Sequence, residues 1–398
     1  MEYLSNLLQN MSESATIAMA AKARELKSSG VDVISLSLGE PDFKTPDHIR
    51  EAAKKAIDAG SYFSYPPVPG YPDLREAIAE KFRKENGLNS KPANIVVSTG
   101  AKQSIANVMM SLLNEGDEAI VLSPYWVSYS EIIRVAGGIP IFVKGTIEND
   151  FKATAAEVKD AITSKTKLMI FSSPCNPTGS VFTKSELAEI AKVLGPHKGI
   201  FIVSDEIYEY INFTGDHASI GAFPEVADRT VTVNGVSKAY AMTGWRIGYI
   251  NAPEFIAKAC TKIQGQFTSG ASSIAQRAAL AALTGDFAPT KAMSDEYLAR
   301  RGMVHQLLSE IPGIKLNMPS GAFYFFPEVS EYFGKSFNGN LIKNASDMSM
   351  YLLNEAHVSV VTGEAFGSPE CIRISYAASR EDLTEAISRI KNALLNLS

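Results

Sequence analysis

"KLMIFSSPCNPTGSVFTKSELAEIAKVLGPHKGIFIVSDEIYE", residues 167–209, is the stretch on which the fold turns. It opens with an apolar run, 167–173, that breaks into a turn of Pro, Asn and Gly. A helical pattern follows at 183–194. A second apolar run, 199–206, then closes on Asp205-Glu206-Ile207-Tyr208. Both runs are nearly continuous in apolar residues, as a strand covered on two faces must be. Two such strands joined through a helix read as a parallel β-α-β unit.

The same texture extends to either side. "NIVVS" (94–98), "EAIVLS" (118–123) and "IPIFVK" (139–144) come before it, and "TVTVNG" (230–235) and "WRIGYI" (245–250) after it. Helical runs such as "AKQSIANVMMSLLNEG" (101–116) lie between. The expected fold is α/β, a large domain with a mostly parallel seven-stranded sheet covered by helices. After about residue 290 the texture changes. A long charged helical pattern (294–311) leads into the mixed segments "GAFYFFPEV", "VSVVTG" and "CIRISYA", with a closing helix from about Ser379. This reads as a smaller α+β domain. The stretch 14–40 fits either unit on its own residues. The expected division is an N-terminal arm at 1–12, a small domain from 13–47 with 291–398, and a large domain at 48–290. In the arm, Tyr3, Leu4, Leu7, Leu8 and Met11 recur at helical spacing. They suit a helix packed on its own core or on another subunit.

The totals limit what the chain can be. Its 398 residues suit two domains. A net charge of −5 gives no electrostatic reason to expect nucleic acid or an anionic membrane as partner. No apolar run reaches the roughly 18 residues that span a bilayer, and the first residues lack a signal peptide's basic start and small-residue cleavage site. Cys175, Cys260 and Cys371 are far apart, an odd count with no CxxC spacing, so neither a disulfide framework nor a zinc site is expected. A reducing, cytoplasmic setting fits. The five histidines are scattered with no HExxH pair, and no metal is expected.

Chemistry gathers where the strand candidates end, which is where ligands bind in an open α/β sheet. One ends in Thr99-Gly100-Ala101-Lys102 and opens a helix, whose first amides and positive end suit a phosphate. Others end in Pro124-Tyr125-Trp126, in Pro174-Cys175-Asn176-Pro177, in Asp205-Glu206-Ile207-Tyr208 and in Gly235-Val236-Ser237-Lys238. Ser237 and Arg246 can add a hydroxyl and a forked guanidinium to the phosphate site. Trp126 offers a face to a planar ring. Asp205 can keep a ring nitrogen protonated, and Tyr208 and Asn176 can hydrogen-bond a ring oxygen. Lys238, set among small and apolar residues that disfavour an ammonium, can form a Schiff base. Phosphate, ring, pyridine nitrogen, ring oxygen and aldehyde together describe pyridoxal 5′-phosphate.

The motifs "SATIAMAAKARELK", "LGEPDF", "YPPVPGYPDLREAIAEKF", "TGAKQ", "SPYWVSY", "SSPCNPTG", "VSDEIYE", "NGVSKAYAMTGWRIGY", "SGAFY" and "IRISYA" follow one another nearly end to end. In number and order they make the chain resemble the class I aminotransferases of fold type I, and it looks closest to the prokaryotic-type aspartate aminotransferases. The resemblance implies Lys238 as the Schiff-base lysine and proton carrier, Asp205 and Tyr208 as its catalytic partners, and Arg373 as the clamp on the substrate α-carboxylate. It implies that Gly39 donates its backbone N–H to that carboxylate. It also implies that Tyr65 reaches the cofactor phosphate of a neighbouring subunit, so that the working form is a homodimer with shared sites.

Substrate choice is less sharply marked. Lys102 resembles a lysine that takes the distal carboxylate of a dicarboxylic substrate, with Ser14 or Thr16 nearby. The expected activity is ping-pong transfer of the amino group from L-aspartate to 2-oxoglutarate, and the alternative is an aromatic or prephenate aminotransferase. Relatives that aminate prephenate carry a basic residue just before "SATIA", where this chain has Ser12. No GxGxxG follows any strand, which argues against a dinucleotide oxidoreductase.

Overall fold

The computed structural model describes residues 3–9 and 11–398. Residues 1, 2 and 10 of the expected arm lie outside the described residues. Seven strands form one sheet in the order Ile95–Ser98, Gly248–Asn251, Thr230–Gly235, Phe201–Asp205, Thr166–Ser172, Glu118–Ser123, Ile139–Lys144. All neighbours from Thr230–Gly235 to Ile139–Lys144 pair in parallel, and Gly248–Asn251 runs antiparallel to both of its neighbours.

The continuous apolar runs are explained by alternate burial. Leu168 and Ile170 pack with Val203 and Ile105 on one face of the sheet, and Met169 and Phe171 pack with Ile202 and Leu187 on the other. The helix Lys184–Leu194 starts where Thr183 and Glu186 cap each other: the Glu186 N–H donates to the Thr183 hydroxyl at 3.2 Å, and the Thr183 N–H donates to Glu186 at 2.7 Å.

Three local expectations shift. The helix expected at 101–116 stops at Leu112, because the Asp117 carboxylate takes the Asn114 N–H at 2.8 Å and Gly116 turns the chain at φ +83°. The long helix expected at 294–311 is Ala288–Ser309, beginning earlier with a proline in its first turn. The last strand of the sheet begins at Gly248, since Thr243–Trp245 form a 3₁₀ turn and Arg246 is left-handed at φ +58°. Among the described residues of the arm Asn6–Gln9 is the helical stretch, and Tyr3, Leu4, Leu7 and Leu8 are exposed. They do not pack on the chain's own core.

Two smaller pairings bring the remaining groups to the sheet's polar edge. Val361–Thr362, Ile372–Ser375 and Tyr324–Phe325 make an antiparallel sheet that carries Arg373 and Tyr324. Ile34–Ser35 pairs in parallel with Val358–Ser359, which leads the chain directly into Leu38-Gly39-Glu40. Tyr208 and Ile207 pack into the same apolar cluster as Tyr324 and Ile374. Among the described residues no helix is long and apolar enough to cross a membrane.

Candidate active site

The carboxyl ends of the parallel strands open on a cavity of about 400 Å³, within the range of small-molecule sites. Asp205 is the last residue of its strand and lies in register beside Ser172 and Val233. It is buried, and its Oδ2 accepts the Tyr129 hydroxyl at 2.7 Å. Burial raises its carboxyl to about 6, against the hydrogen bonds from Tyr129 and the Ile207 N–H. A carboxylate kept dry with spare acceptor capacity can hold a cationic N–H.

Lys238 lies across the cavity. Its Nζ donates to the Gly39 carbonyl at 2.6 Å and lies 5.8 Å from the centre of the Tyr208 ring. Burial, then the charges of Arg373 and Arg246, bring its pKa down to about 8, while Glu40 and Asp205 pull the other way. An amine so tuned is a nucleophile and a proton carrier near neutral pH.

Arg373 is fully buried. Its Nη1 donates to Asn176 Oδ1 at 2.9 Å and its Nη2 to the Ser37 carbonyl at 2.5 Å. The guanidinium lies over the Tyr324 ring at 4.6 Å and the Phe366 ring at 4.9 Å. With Asn176 Oδ1 engaged, the Asn176 amide nitrogen is left to donate. The Tyr208 hydroxyl shares a hydrogen bond with that of Tyr324 at 2.7 Å. Gly39 is a glycine for a steric reason, because a Cβ there would strike the Tyr324 hydroxyl.

At the sheet's other end the helix Ala101–Leu112 starts on Gly100, at φ +84°. A Cβ on Gly100 would collide with the Arg246 guanidinium. Left-handed Arg246 therefore lays its fork against the first turn, and Ala101, Ser237 and Arg246 line the same corner. The absence of a Cβ on Gly100 leaves room for the guanidinium, and helix amides, a hydroxyl and that guanidinium around one corner fit a phosphate. Trp126, edge-on to Tyr129 at 5.5 Å, forms a wall. Exposed Lys102 sits 5.0 Å over the Trp126 ring, and desolvation of its amine, then Arg246, lower its pKa. Ser14 and Thr16 close the cavity from the start of the helix Ala15–Ser28.

Every cavity-side residue expected from the sequence thus lines this one space, except that Gly100 stands behind Arg246 and Tyr65 is 94% exposed and outside the lining. Tyr129, Tyr324, Thr243 and Glu40 were not singled out. Tyr129 and Tyr324 stand at the ends of "SPYWVSY" and "SGAFY", so their stretches were marked but their roles were not.

Residues 31–390 match the model of the aminotransferase class I and II family. The chain belongs to this family. As an aminotransferase it is 47% identical over 397 residues to a probable aspartate/prephenate aminotransferase of Rhizobium leguminosarum bv. phaseoli, covering 98% of each chain. Its fold superposes on the aspartate aminotransferase from Rhizobium meliloti with a TM-score of 0.95 at 40% identity, covering 99% of both. It superposes on the Thermus thermophilus aspartate aminotransferase with maleate at 0.93 and 42% identity, covering 99% of this chain and 100% of that one. The α/β fold with its mostly parallel sheet is that of these enzymes.

Proposed function

We propose that this aminotransferase uses pyridoxal 5′-phosphate to move the amino group of L-aspartate to 2-oxoglutarate. The observation that carries the reading is the convergence of Lys238, Asp205 and Arg373 on one cavity with a phosphate corner at its end. The residues fit the cofactor: Ala101, Ser237 and Arg246 would hold its phosphate, Trp126 would flank its ring, Asp205 would pair with the ring nitrogen, and Tyr208 and Asn176 would hydrogen-bond the ring oxygen. When bound, the cofactor supplies an aldehyde for a primary amine and a ring that accepts electrons.

The chain's own residues do the rest. Arg373 fixes the substrate α-carboxylate with its fork, and the Gly39 N–H assists, so that the Cα–H is held toward the Lys238 amine. Lys238 Nζ, neutral above about pH 8, takes that proton and returns it as a general acid. Asp205 would keep the ring nitrogen of a bound cofactor protonated. Lys102, with Ser14 and Thr16, receives the distal carboxylate, and the maleate of the Thermus thermophilus structure is a dicarboxylate of that kind. The Rhizobium leguminosarum relative's name adds prephenate. At the position where the resemblance expects a basic residue for that substrate this chain has Ser12, whose side chain supplies no cation, which favours aspartate.

We further propose a cytoplasmic homodimer in which Tyr65 completes the neighbour's phosphate corner, and a small domain of 13–47 with 291–398 set against 48–290. The function is tested by steady-state rates with aspartate and 2-oxoglutarate varied together. Parallel double-reciprocal lines, with phenylalanine and prephenate poor competitors, are expected. Turnover of phenylalanine ahead of aspartate, or of prephenate ahead of 2-oxoglutarate, would overturn the substrate assignment.

A further inference from the structure

The turn that presents Asp205 and Tyr208 to the cavity carries two more carboxylates on its other side, and the reaction described above uses neither. Glu206 is fully buried. Its Oε1 accepts the Ser204 hydroxyl at 2.9 Å. Its Oε2 accepts Ser219 at 2.6 Å, His217 Nε2 at 2.8 Å and Asn86 Nδ2 at 3.1 Å. Glu209, also buried, is ion-paired with buried Lys81, accepts Asn86 Nδ2 at 2.9 Å and lies 3.9 Å from His217. Lys81 in turn donates to Asn86 Oδ1 at 2.7 Å and lies 3.8 Å from Glu85. The donor atoms of Glu206, Glu209 and His217 come within 4.8 Å of one another. A metal is nevertheless a poor occupant, because the Lys81 ammonium already fills the Glu209 side and Glu206 is surrounded by four donors.

Such a cluster is costly to bury unless each member is satisfied. Glu206 is adjacent to Asp205 in sequence, and the negative charge of Glu206 raises the proton affinity of Asp205. His217 faces Glu206, Glu209 and Lys81. Burial opposes its charge, yet the two carboxylates outweigh burial and Lys81, and its pKa is raised. The charged form of His217 is therefore favoured, and held 2.8 Å from Glu206 it offsets part of that carboxylate's charge.

We propose that Glu206 is a positioning residue whose buried charge strengthens the hold of Asp205 on the protonated ring nitrogen, and that His217 sets how much of that charge Asp205 feels. This rests on the cofactor reading above. It makes two variants move one observable in opposite directions. In Glu206→Gln the negative charge is lost and the hydrogen-bonding shape is nearly kept. In His217→Gln a donor to Glu206 is kept and the compensating positive charge is lost.

The test is a pH titration of the visible band of each purified holoenzyme, with cofactor dissociation measured by dialysis and rebinding. Relative to wild type, the apparent pKa of the band is expected to fall by roughly half to one unit in Glu206→Gln, with cofactor affinity several-fold weaker. It is expected to rise in His217→Gln. A merely structural role would lower thermal stability and move both variants the same way or neither. Any outcome other than opposite shifts overturns the proposal. Should Glu206→Gln fail to fold, an upward shift in His217→Gln alone supports the proposal, and no shift or a downward one overturns it. A wild-type protein without a visible band would overturn this proposal and the cofactor reading together, whereas a wild-type band with unmoved variants overturns this proposal alone.

Discussion

At the scale of the residue, Lys238 is where the apoprotein is least comfortable. Its folded pKa is depressed from 10.5 to about 8. A depressed folded pKa gives stability in full only above the unfolded value, and that stability is lost as pH falls through the folded one. At pH 7 the apoprotein therefore carries a burial cost of up to roughly 3 kcal/mol, less after solvent screening of a partly exposed amine. Lys238→Met is expected to abolish transamination while its apoprotein melts at a higher temperature than wild-type apoprotein at pH 7, with the gap closing above about pH 10. Equal melting at both pH values would show that the amine is not desolvated. Arg373→Lys removes the fork while leaving the charge, so the KM for aspartate is expected to rise by at least about tenfold. An unchanged KM would remove Arg373 from the carboxylate site. Lys238, Asp205 and Arg373 were legible because each stands in a short motif at a strand end or within a strand. Tyr129 and Tyr324 were not, because they meet Asp205 and Tyr208 across separations of 76 and 116 residues, and sequence spacing carries no trace of such a meeting.

At the scale of the element, the sheet was legible because its strands are buried on both faces and their apolar runs are nearly unbroken. The start of the last strand was misplaced for a local reason. "WRIGYI" has the composition of a strand, but Arg246 takes a left-handed backbone to turn its guanidinium toward Gly100. That function overrides the β propensity of its neighbours. The same contact lies at the start of the helix Ala101–Leu112. Gly100→Ala adds a Cβ at a left-handed φ and pushes on Arg246. Cofactor affinity is expected to fall at least about tenfold, with far-UV circular dichroism unchanged. Unaltered affinity would place the phosphate elsewhere.

At the scale of the whole molecule, a set of large apolar residues stands exposed. Tyr65 at 94% and Phe63 at 71% stand in the Pro-rich turn before the helix Pro72–Glu85, and Leu7 and Leu8 stand exposed on the arm. Among the described residues Leu7 and Leu8 stay about half exposed, so the arm's helical spacing was readable in the sequence but what covers its apolar side was not. If subunits share sites, mixing inactive Lys238→Ala protein with weakened Tyr65→Ala protein and allowing exchange should restore activity, because one site of each mixed dimer regains both residues. No recovery after confirmed exchange would mean that each chain works alone. The central claim is that Lys238 holds an aldehyde cofactor in a pocket that accepts aspartate. The most direct measurement is the absorbance spectrum of the purified protein before and after adding aspartate alone. The expected result is a visible band that moves to shorter wavelength as one equivalent of oxaloacetate forms per site, with no ammonia. A protein that shows no visible band even after pyridoxal phosphate is added would contradict the account from Lys238 outward.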